Sequence, residues 1–296
     1  MSARIIDGKK IAQRLKENLK NEVEDLRTRG IIPRLAVIMV GDNPASKIYV
    51  DLKGRMCREL GIEYEEHLLS TDAAQQDLLA VISDLNHRPE INGIILQHPV
   101  PESLDEKQAS ELISPFKDVD GFNPVNVGRL SMGKPGFTPC TPRGVMELLK
   151  EENVRIEGAE CVVVGRSNIV GKPLAFLLLT QNGTVTICHS KTRDLKEICK
   201  RADILIAAAG RPGLIRGDMI KPGAVVIDVG INRIAGTKKI VGDVDFESAV
   251  QIAGAITPVP GGVGPMTVIM LMINVLEAAR KQYHMETNGL QNIPQP

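Results

Sequence analysis

The sequence predicts an α/β protein built from two domains. Its length, 296 residues, fits two domains of ordinary size. Short apolar runs typical of buried strands alternate with stretches that have the three-to-four-residue apolar period of helices. Such alternation indicates βαβ units and a mostly parallel sheet. It stops between residues 114 and 142, where proline and glycine are frequent, and then begins again.

The first run of alternating elements predicts an N-terminal domain of residues 1–120. Ser46 is the expected N-cap of a helix that runs to about residue 60. An earlier helix is predicted from about Asp7, because apolar side chains recur on one face, at Ile11, Leu15, Leu19, Val23 and Leu26. The other predicted elements are strands at residues 35–40, 62–69 and 93–97 and a helix at residues 72–86.

The second run predicts a domain of residues 140–265. Its expected strands are 161–164, 184–188, 204–208 and 224–229, and its expected helices are 143–152, 171–181 and 194–201. A final helix at about residues 266–281 is apolar on most faces, so we expect it to be buried. Residues 266–284 are predicted to return to the N-terminal domain and complete it. The polar tail from residue 286 is expected to fray.

Composition argues against several classes of protein. The formal net charge is zero, so we expect neither nucleic acid nor an anionic membrane surface as a partner. No secretory signal is expected, and the longest apolar stretch, residues 266–276, is too short to span a bilayer. The five scattered cysteines form no C-x-x-C pair, which favours buried thiols and a cytoplasmic location. The histidines show no metal-ligand spacing, so no metal is expected.

A strand, a glycine turn and the start of a helix follow one another at residues 161–173. Gly165, Ser167 and Gly171 form G-x-S-x-x-x-G, a variant of the turn with which a Rossmann-type domain holds a pyrophosphate. The next strand ends in hydroxyls and cations at residues 189–193, where an NAD enzyme usually has an acid. Together with Arg166, these groups favour the 2′-phosphate of NADP. The alternative is a solvated basic loop.

Several polar features of the N-terminal domain are candidates for chemistry. Tyr49 and Lys53 share one helix face, although such a pair is more often an amphipathic surface pair. Short-chain dehydrogenases place the same pair after their nucleotide-binding strands, whereas here it precedes them. Gln97 ends a buried strand, at the edge where parallel sheets present ligand groups. Asp120 precedes a glycine in the irregular segment, and an isolated Asp-Gly pair usually forms only a turn. Residues 258–265 form a glycine-rich loop.

Taken together, these segments resemble the family of bifunctional methylenetetrahydrofolate dehydrogenase/methenyltetrahydrofolate cyclohydrolases, over roughly residues 6–272. The motifs that carry the resemblance are Pro44-Ala-Ser-x-x-Tyr49-Val-x-x-Lys53, Gly93-Ile-Ile-Leu-Gln97, Lys117-Asp-Val-Asp-Gly-Phe122, Phe137-Thr-Pro-Cys-Thr-Pro142, Val164-Gly-Arg-Ser-x-Ile-Val-Gly-Lys-Pro173, Gly242-Asp-Val-Asp-Phe246 and Thr257-Pro-Val-Pro-Gly-Gly-Val-Gly-Pro-Met-Thr267.

The resemblance implies an N-terminal α/β substrate domain, a Rossmann-type dinucleotide-binding domain and a cleft between them. It implies two successive reactions on a folate substrate. The first is the NADP-dependent oxidation of 5,10-methylenetetrahydrofolate to 5,10-methenyltetrahydrofolate, and the second is its hydrolysis to 10-formyltetrahydrofolate. It also implies a homodimer.

The resemblance further implies roles for individual residues. Lys53 matches the catalytic lysine, and Gln97 matches the residue that positions it and the water. Tyr49 matches the ring that lies against the folate, and Asp120 matches the pterin anchor. A lysine amine in water is a cation at pH 7, so the catalytic residue acts either as an amine neutralised by burial or as a hydrogen-bonding cation. Further matches are Pro260, Gly261, Gly262, Val263 and Gly264 for one wall of the substrate site, and Gly165, Arg166, Ser167, Ser190 and Ile231 for the cofactor.

One residue departs from the family pattern, because His98 stands where the family usually has the leucine of Gln-Leu-Pro. It is either a partly buried histidine satisfied by backbone groups, or its imidazole reaches the pterin site or the hydrogen bonds of Lys53. Two other functions remain alternatives. The first is a monofunctional NAD-dependent methylenetetrahydrofolate dehydrogenase, against which Lys53, Arg166 and Ser190 count. The second is a dinucleotide-sensing regulatory protein without catalysis.

Overall fold

The computed structural model describes residues 2–234, 236–237 and 239–287, so residues 288–296 of the predicted frayed tail lie outside the described residues. The helices are α1 Gly8–Thr28, α2 Pro44–Leu60, α3 Gln75–His87, α4 Glu106–Leu112, α5 Pro124–Ser131, α6 Cys140–Glu151, α7 Gly171–Thr180, α8 Leu195–Cys199, α9 Phe246–Ala249 and α10 Val263–Thr287. The strands are β1 Arg4–Ile5, β2 Arg34–Val40, β3 Glu63–Leu69, β4 Gly93–Leu96, β5 Glu160–Val164, β6 Thr184–Cys188, β7 Ile204–Ala207, β8 Val225–Asp228, β9 Asn232–Arg233, β10 Ile240–Val241 and β11 Ala255–Ile256.

The small-sheet unit consists of Leu15–Arg129, Lys134–Thr138 and the described part of Leu271–Pro296. Its three strands are parallel and have the order β3-β2-β4. The side chains of β2 and β4 on one face pack against α3, through Leu78, Ile82 and Leu85. Nearly every residue of these two strands is buried, which explains their continuous apolar sequences.

The large-sheet unit consists of Leu130–Gly133, Pro139–Met270 and the described part of Met1–Arg14. Its six strands are all parallel and have the order β1-β11-β8-β7-β5-β6. The inner strands are apolar except at two ends, where β5 begins with Glu160 and β8 ends with Asp228, and β6 forms one outer edge. The predicted class, a two-domain α/β protein with a Rossmann-type parallel sheet, is confirmed.

The two units differ from the predicted domains at the N-terminus. Residues 2–14, which we predicted within the domain of residues 1–120, belong to the large-sheet unit. The reason is a strand that has no sequence signal, because β1 has only two residues. It pairs with β11, and the N–H of Ala3 donates to the carbonyl of Val250 over 2.7 Å.

The predicted N-cap of the second helix is wrong. Helix α2 begins at Pro44, and the side chain of Asn43 accepts a hydrogen bond from the N–H of Ser46 over 3.3 Å. Proline is tolerated in the first turn of a helix because the N–H that it lacks has no partner there. Ser46 is buried, and its hydroxyl donates to the carbonyl of His98 over 3.3 Å.

The segment that we predicted to be irregular contains regular structure. Helix α5 lies within it, and the side chain of Asn123 accepts a hydrogen bond from the N–H of Val125 over 2.8 Å at the start of that helix. The preceding helix, α4, is capped by Asp105, whose carboxylate accepts from the N–H of Gln108 over 2.9 Å. Both helices are too short for an apolar period to develop, so only their capping residues mark them.

Helix α10 is longer than predicted, and its part from Leu271 onward belongs to the small-sheet unit. The stretch Val263–Met285 has the length and the apolar composition of a membrane-crossing helix. The core helix of a globular protein has the same length and composition, and 67% of this stretch's most apolar window is buried within the molecule.

Candidate active site

Lys53 and Gln97 meet in the small-sheet unit. Lys53 lies in α2, and its Nζ donates a hydrogen bond to Oε1 of Gln97 over 2.9 Å. Gln97 follows β4, and its Nε2 donates to the carbonyl oxygen of His98 over 2.8 Å. That second bond decides which end of the amide faces the lysine, because only the oxygen can accept. Gln97 is buried and Lys53 is half-buried, so the pair is partly shielded from water.

Tyr49 lies one turn before Lys53 on α2, as the spacing predicted. Its side chain is 41% exposed, although tyrosine is usually more buried than that in a folded domain. An aromatic ring with a free face beside a polar pair can stack on a flat ligand.

The two aspartates of the segment 117–122 have different environments. Asp118 is fully buried, and its carboxylate accepts hydrogen bonds from the N–H groups of residues 121–123 over 2.8 to 3.1 Å. Burial raises the pKa of Asp118 to about 6, against the opposing effect of these hydrogen bonds. Asp120 is half-buried and lines a small cavity together with His98 and Phe122. Both aspartates line this cavity, and Asp118 in addition shapes the turn through its bonds to the backbone.

The imidazole of His98 contacts side chains rather than backbone groups. Its Nδ1 lies 3.1 Å from Oε1 of Glu106, although the angles are not those of a hydrogen bond. Its ring packs against Phe122, with 5.9 Å between the ring centroids. Our interpretation of a histidine satisfied by backbone groups is therefore wrong, and the imidazole borders the same cavity as Asp120.

Two glycines allow the turn between β5 and α7 to close. A Cβ added at Gly165 would lie 2.1 Å from the carbonyl oxygen of Ala208, and one at Gly171 would lie 2.2 Å from that of Gly165. Either side chain would force the backbone apart. The hydroxyl of Ser167 accepts hydrogen bonds from the N–H groups of Val170 and Gly171 over 3.1 and 3.3 Å. Ser167 thus caps α7 in addition to its predicted place at the cofactor.

A cavity of about 350 Å³ lies at the carboxyl ends of β5, β6 and β7, in the large-sheet unit. Four predicted cofactor residues line it, namely Gly165, Arg166, Ser167 and Ser190. His189 and Thr192, from the run of hydroxyls and cations predicted at residues 189–193, also line it. The sequence analysis missed Arg211, whose signal was its position just after a strand of a parallel sheet. No Asp or Glu belongs to the described lining. Guanidinium and hydroxyl groups in a lining that presents no carboxylate fit a dinucleotide that carries an additional phosphate.

A buried carboxylate holds one wall of this cavity. Asp243 is fully buried, and its Oδ2 accepts hydrogen bonds from the N–H groups of Ala209 and Gly210 over 2.6 and 2.8 Å. Its Oδ1 accepts from the N–H of Arg211 over 2.9 Å. Asp243 lies in the motif 242–246, which therefore has a structural task. It fixes the backbone from which Arg211 projects.

The glycine-rich loop after β11 packs within the large-sheet unit. It contains the five residues predicted for a wall of the substrate site, Pro260, Gly261, Gly262, Val263 and Gly264, and α10 begins at the fourth of them. A Cβ added at Gly8 would lie 1.8 Å from the carbonyl oxygen of Gly262, so the loop and the start of α1 touch through their backbones. Ile231 is 52% exposed, lies beside Gly264 and does not belong to the cavity lined by Arg166.

Known proteins match the chain over nearly its whole length. The model of the tetrahydrofolate dehydrogenase/cyclohydrolase catalytic domain matches residues 6–120, and that of the family's NAD(P)-binding domain matches residues 139–283. The bifunctional protein FolD of Acetivibrio thermocellus is 56% identical over 97% of this chain and 100% of the relative.

Two solved structures are similar to this one. The bifunctional enzyme FolD of Campylobacter jejuni has a TM-score of 0.93 and 47% identity, over 95% of this chain and 100% of that chain. The methylenetetrahydrofolate dehydrogenase-cyclohydrolase of Trypanosoma brucei, in complex with NADP and an inhibitor, has a TM-score of 0.92 and 39% identity, over 96% of this chain and 99% of that chain.

A parallel sheet with a glycine turn and a basic cavity at the carboxyl ends of its strands is typical of nicotinamide-dependent enzymes, and a separate unit pairs a lysine with a glutamine. The chain belongs to the tetrahydrofolate dehydrogenase/cyclohydrolase family. It is a bifunctional methylenetetrahydrofolate dehydrogenase and methenyltetrahydrofolate cyclohydrolase of one-carbon metabolism, and its cofactor is NADP. These predictions are confirmed, and the monofunctional and regulatory alternatives are not supported.

Proposed function

We propose that Lys53, with Gln97 as its partner, carries the proton movements of the cyclohydrolase reaction, and that Tyr49 and Asp120 hold the folate. The observation that supports this assignment is the hydrogen bond of 2.9 Å between Nζ of Lys53 and Oε1 of Gln97. It joins an ionisable donor to an amide whose other end is already bonded, so the lysine is held in a defined position.

Hydride removal requires alignment more than acid–base chemistry. Hydride leaves the methylene carbon between N5 and N10, and the resulting cation is delocalised over both nitrogens. No general base is needed, and bound NADP supplies the acceptor. The task of the protein is therefore to hold the pterin in place. The carboxylate of Asp120 suits this task, because it can accept two N–H bonds from the 2-amino-4-oxo edge. The half-exposed ring of Tyr49 can lie against the folate.

Hydrolysis requires protons to move. Water adds to the methenyl carbon and loses a proton, and a nitrogen must gain one before the ring opens to the 10-formyl product. An amine within hydrogen-bonding reach of the reacting water is suited to this transfer. Gln97 can orient Lys53 through Oε1, because its Nε2 is engaged by the carbonyl of His98. The side-chain amide of Gln97 is thus fixed at Nε2 and presents Oε1 as an acceptor to the amine of Lys53.

We assign the 2′-phosphate of NADP to Arg166 and Ser190. Both are exposed side chains in the lining of the same cavity, one after β5 and the other after β6. A guanidinium can bind a phosphate through two parallel hydrogen bonds, and a hydroxyl can add a third.

Two absorbance assays test the assignment. Purified protein is mixed with methylenetetrahydrofolate and either NADP or NAD, and reduced nicotinamide is recorded. Decay of added methenyltetrahydrofolate above its spontaneous rate is recorded separately. We expect faster reduction of NADP and clear methenyl decay. Preference for NAD would contradict the assignment of Arg166 and Ser190, and decay at the spontaneous rate would contradict that of Lys53.

We further propose that the enzyme is a homodimer that associates through its large-sheet units. The support is the outer strand β6, whose Ile187 is 39% exposed, and the adjoining helix α7, whose Leu179 is 61% exposed. An edge strand offers unpaired backbone groups, and apolar side chains beside it are typical of subunit interfaces.

Leu179→Glu is expected to shift the dimer towards monomer, because it introduces charges into an apolar contact. Light scattering after size-exclusion chromatography measures the mass, and the wild type should have twice the mass of one chain. Leu68→Glu is the matched control, since Leu68 is 66% exposed but lies on β3 of the small-sheet unit. A dimeric Leu179 variant, or a monomeric wild type, would contradict this interface.

A reducing compartment, the cytoplasm, is the proposed location. The five cysteines are all free and all buried. Burial raises the pKa of the Cys57 and Cys199 thiols to about 12, which disfavours the reactive thiolate. Fractionation of the native cells is the test, and recovery outside the cytoplasm would contradict the proposal.

A further inference from the structure

The segment that carries Asp120 is held from two sides. On one side, the carboxylate of Asp118 binds the N–H groups of residues 121–123. On the other side, Nδ2 of Asn274 donates to the carbonyl oxygen of Val119 over 2.7 Å. Both holding groups are buried, with 3% exposure for Asp118 and 0% for Asn274. The peptide bond between Val119 and Asp120 is therefore fixed by a side chain that is 155 residues away in the sequence.

Asn274 is unusual in its surroundings. It lies in the part of α10 that belongs to the small-sheet unit, and its neighbours Met272, Val275 and Leu276 are fully buried and apolar. The same Nδ2 also donates to the carbonyl of Thr138 over 3.1 Å. One amide thus satisfies two carbonyls in an apolar environment, where water has little access. Hydrogen bonds from a buried amide hold the backbone in one arrangement, because they are directional and apolar packing is not.

We propose that Asn274 is a positioning residue for Asp120. This inference rests on the proposed role of Asp120 as the pterin anchor. The mechanism is geometric, since the bond from Asn274 to the carbonyl of Val119 fixes the direction in which the next side chain leaves the backbone, and the bond to the carbonyl of Thr138 holds the amide itself in place. Without the amide, these carbonyls lose the hydrogen bonds that Asn274 donates, and the segment relaxes towards positions where water can replace them. A small displacement of a group that binds the substrate weakens substrate binding and lowers the reaction rate.

Gln282 provides a matched control on the same helix. It is also buried, and its Nε2 donates to the carbonyls of Asn92 and Phe116 over 3.0 and 3.1 Å. Gln282→Leu therefore removes the same kind of group, with the same number of carbonyl acceptors, together with a bond that Gln282 accepts from Nδ2 of Asn92 over 2.9 Å. Its nearer acceptor to Asp120 is Phe116, four residues before it, whereas Asn274 bonds the residue directly before Asp120. A general loss of stability would affect both variants alike, whereas a positioning role separates them.

The experiment compares Asn274→Leu, Gln282→Leu and Asp120→Ala with the wild type. The measured quantities are KM and kcat for methylenetetrahydrofolate, the Kd for NADP and the melting temperature. We expect Asn274→Leu to raise KM for the folate by about tenfold, with Kd for NADP unchanged. We expect Gln282→Leu to lower the melting temperature similarly but to change KM less than about twofold. If Asn274→Leu does not fold, Asn274→Ala leaves room for a water and serves the same comparison.

The outcomes separate this inference from the proposed function. If Asp120→Ala raises KM but Asn274→Leu behaves like Gln282→Leu, the positioning role is overturned and the pterin anchor stands. If Asp120→Ala leaves KM unchanged, the pterin anchor itself is wrong, and the inference about Asn274 is overturned with it.

Discussion

Lys53→Met is expected to abolish cyclohydrolase activity while much of the dehydrogenase activity remains. Only the hydrolysis needs protons to move, and a positioned acid–base group typically contributes about 10²- to 10⁴-fold to a rate. Methionine preserves the length of the side chain and removes the donor that binds Oε1 of Gln97. Parallel assays of nicotinamide reduction and methenyl decay measure both activities on one preparation.

Lys47→Met is the matched control for Lys53, because Lys47 is an exposed lysine of the same helix. It should leave both activities at the wild-type level. Cyclohydrolase activity of the Lys53 variant above about a tenth of wild type, far more than loss of a 10²-fold contribution allows, would show that this lysine is not essential. Equal loss of both activities would instead indicate a damaged folate site.

Arg166→Ala is expected to weaken the binding of NADP far more than that of NAD. A hydrogen bond to a charged group contributes about 1.5–3 kcal/mol, which corresponds to roughly 10- to 150-fold in Kd. The 2′-phosphate is the only group that distinguishes the two cofactors, so the loss should be confined to NADP. Titration calorimetry or quenching of cofactor fluorescence measures both dissociation constants.

Arg193→Ala is the control for Arg166, since Arg193 is exposed in the same basic loop but is not part of the cavity lining. It should change neither constant by more than about twofold, as is usual for surface substitutions. Equal losses of NADP and NAD binding in the Arg166 variant would point to a structural role for this arginine in the turn.

The sequence allowed accurate prediction of those elements whose signal is local. Strand β4 is apolar throughout, and β2 and β5 are apolar after their first residue, because parallel sheets bury both faces. Helix α1 was recognisable from one apolar stripe, since only one of its faces is buried. Helices α4 and α5 were not predicted, because seven or eight residues are too few for such a stripe.

Those residues of the candidate site that belong to a recognisable motif could be predicted. Contacts between residues that are far apart in the sequence could not. The pair of Lys53 and Gln97 was expected from family resemblance, although 44 residues separate them. The different environments of Asp118 and Asp120 were not, because both lie in the same short motif and only folding buries the carboxylate of Asp118 against the N–H groups of residues 121–123. The bond from Asn274 to Val119 has no local signal at all.

The glycine turn after β5 determines where the cofactor preference of this enzyme can be changed. Positions 165 and 171 admit no side chain, because a Cβ there would meet a carbonyl oxygen at 2.1 or 2.2 Å. Redesign for NAD must therefore leave the backbone of the turn untouched and work through the exposed side chains at positions 166 and 190. An acid introduced at position 190 would meet the ribose hydroxyls of NAD favourably and would repel the phosphate of NADP. The fold thus separates the part of the site that recognises any dinucleotide from the part that chooses between two of them.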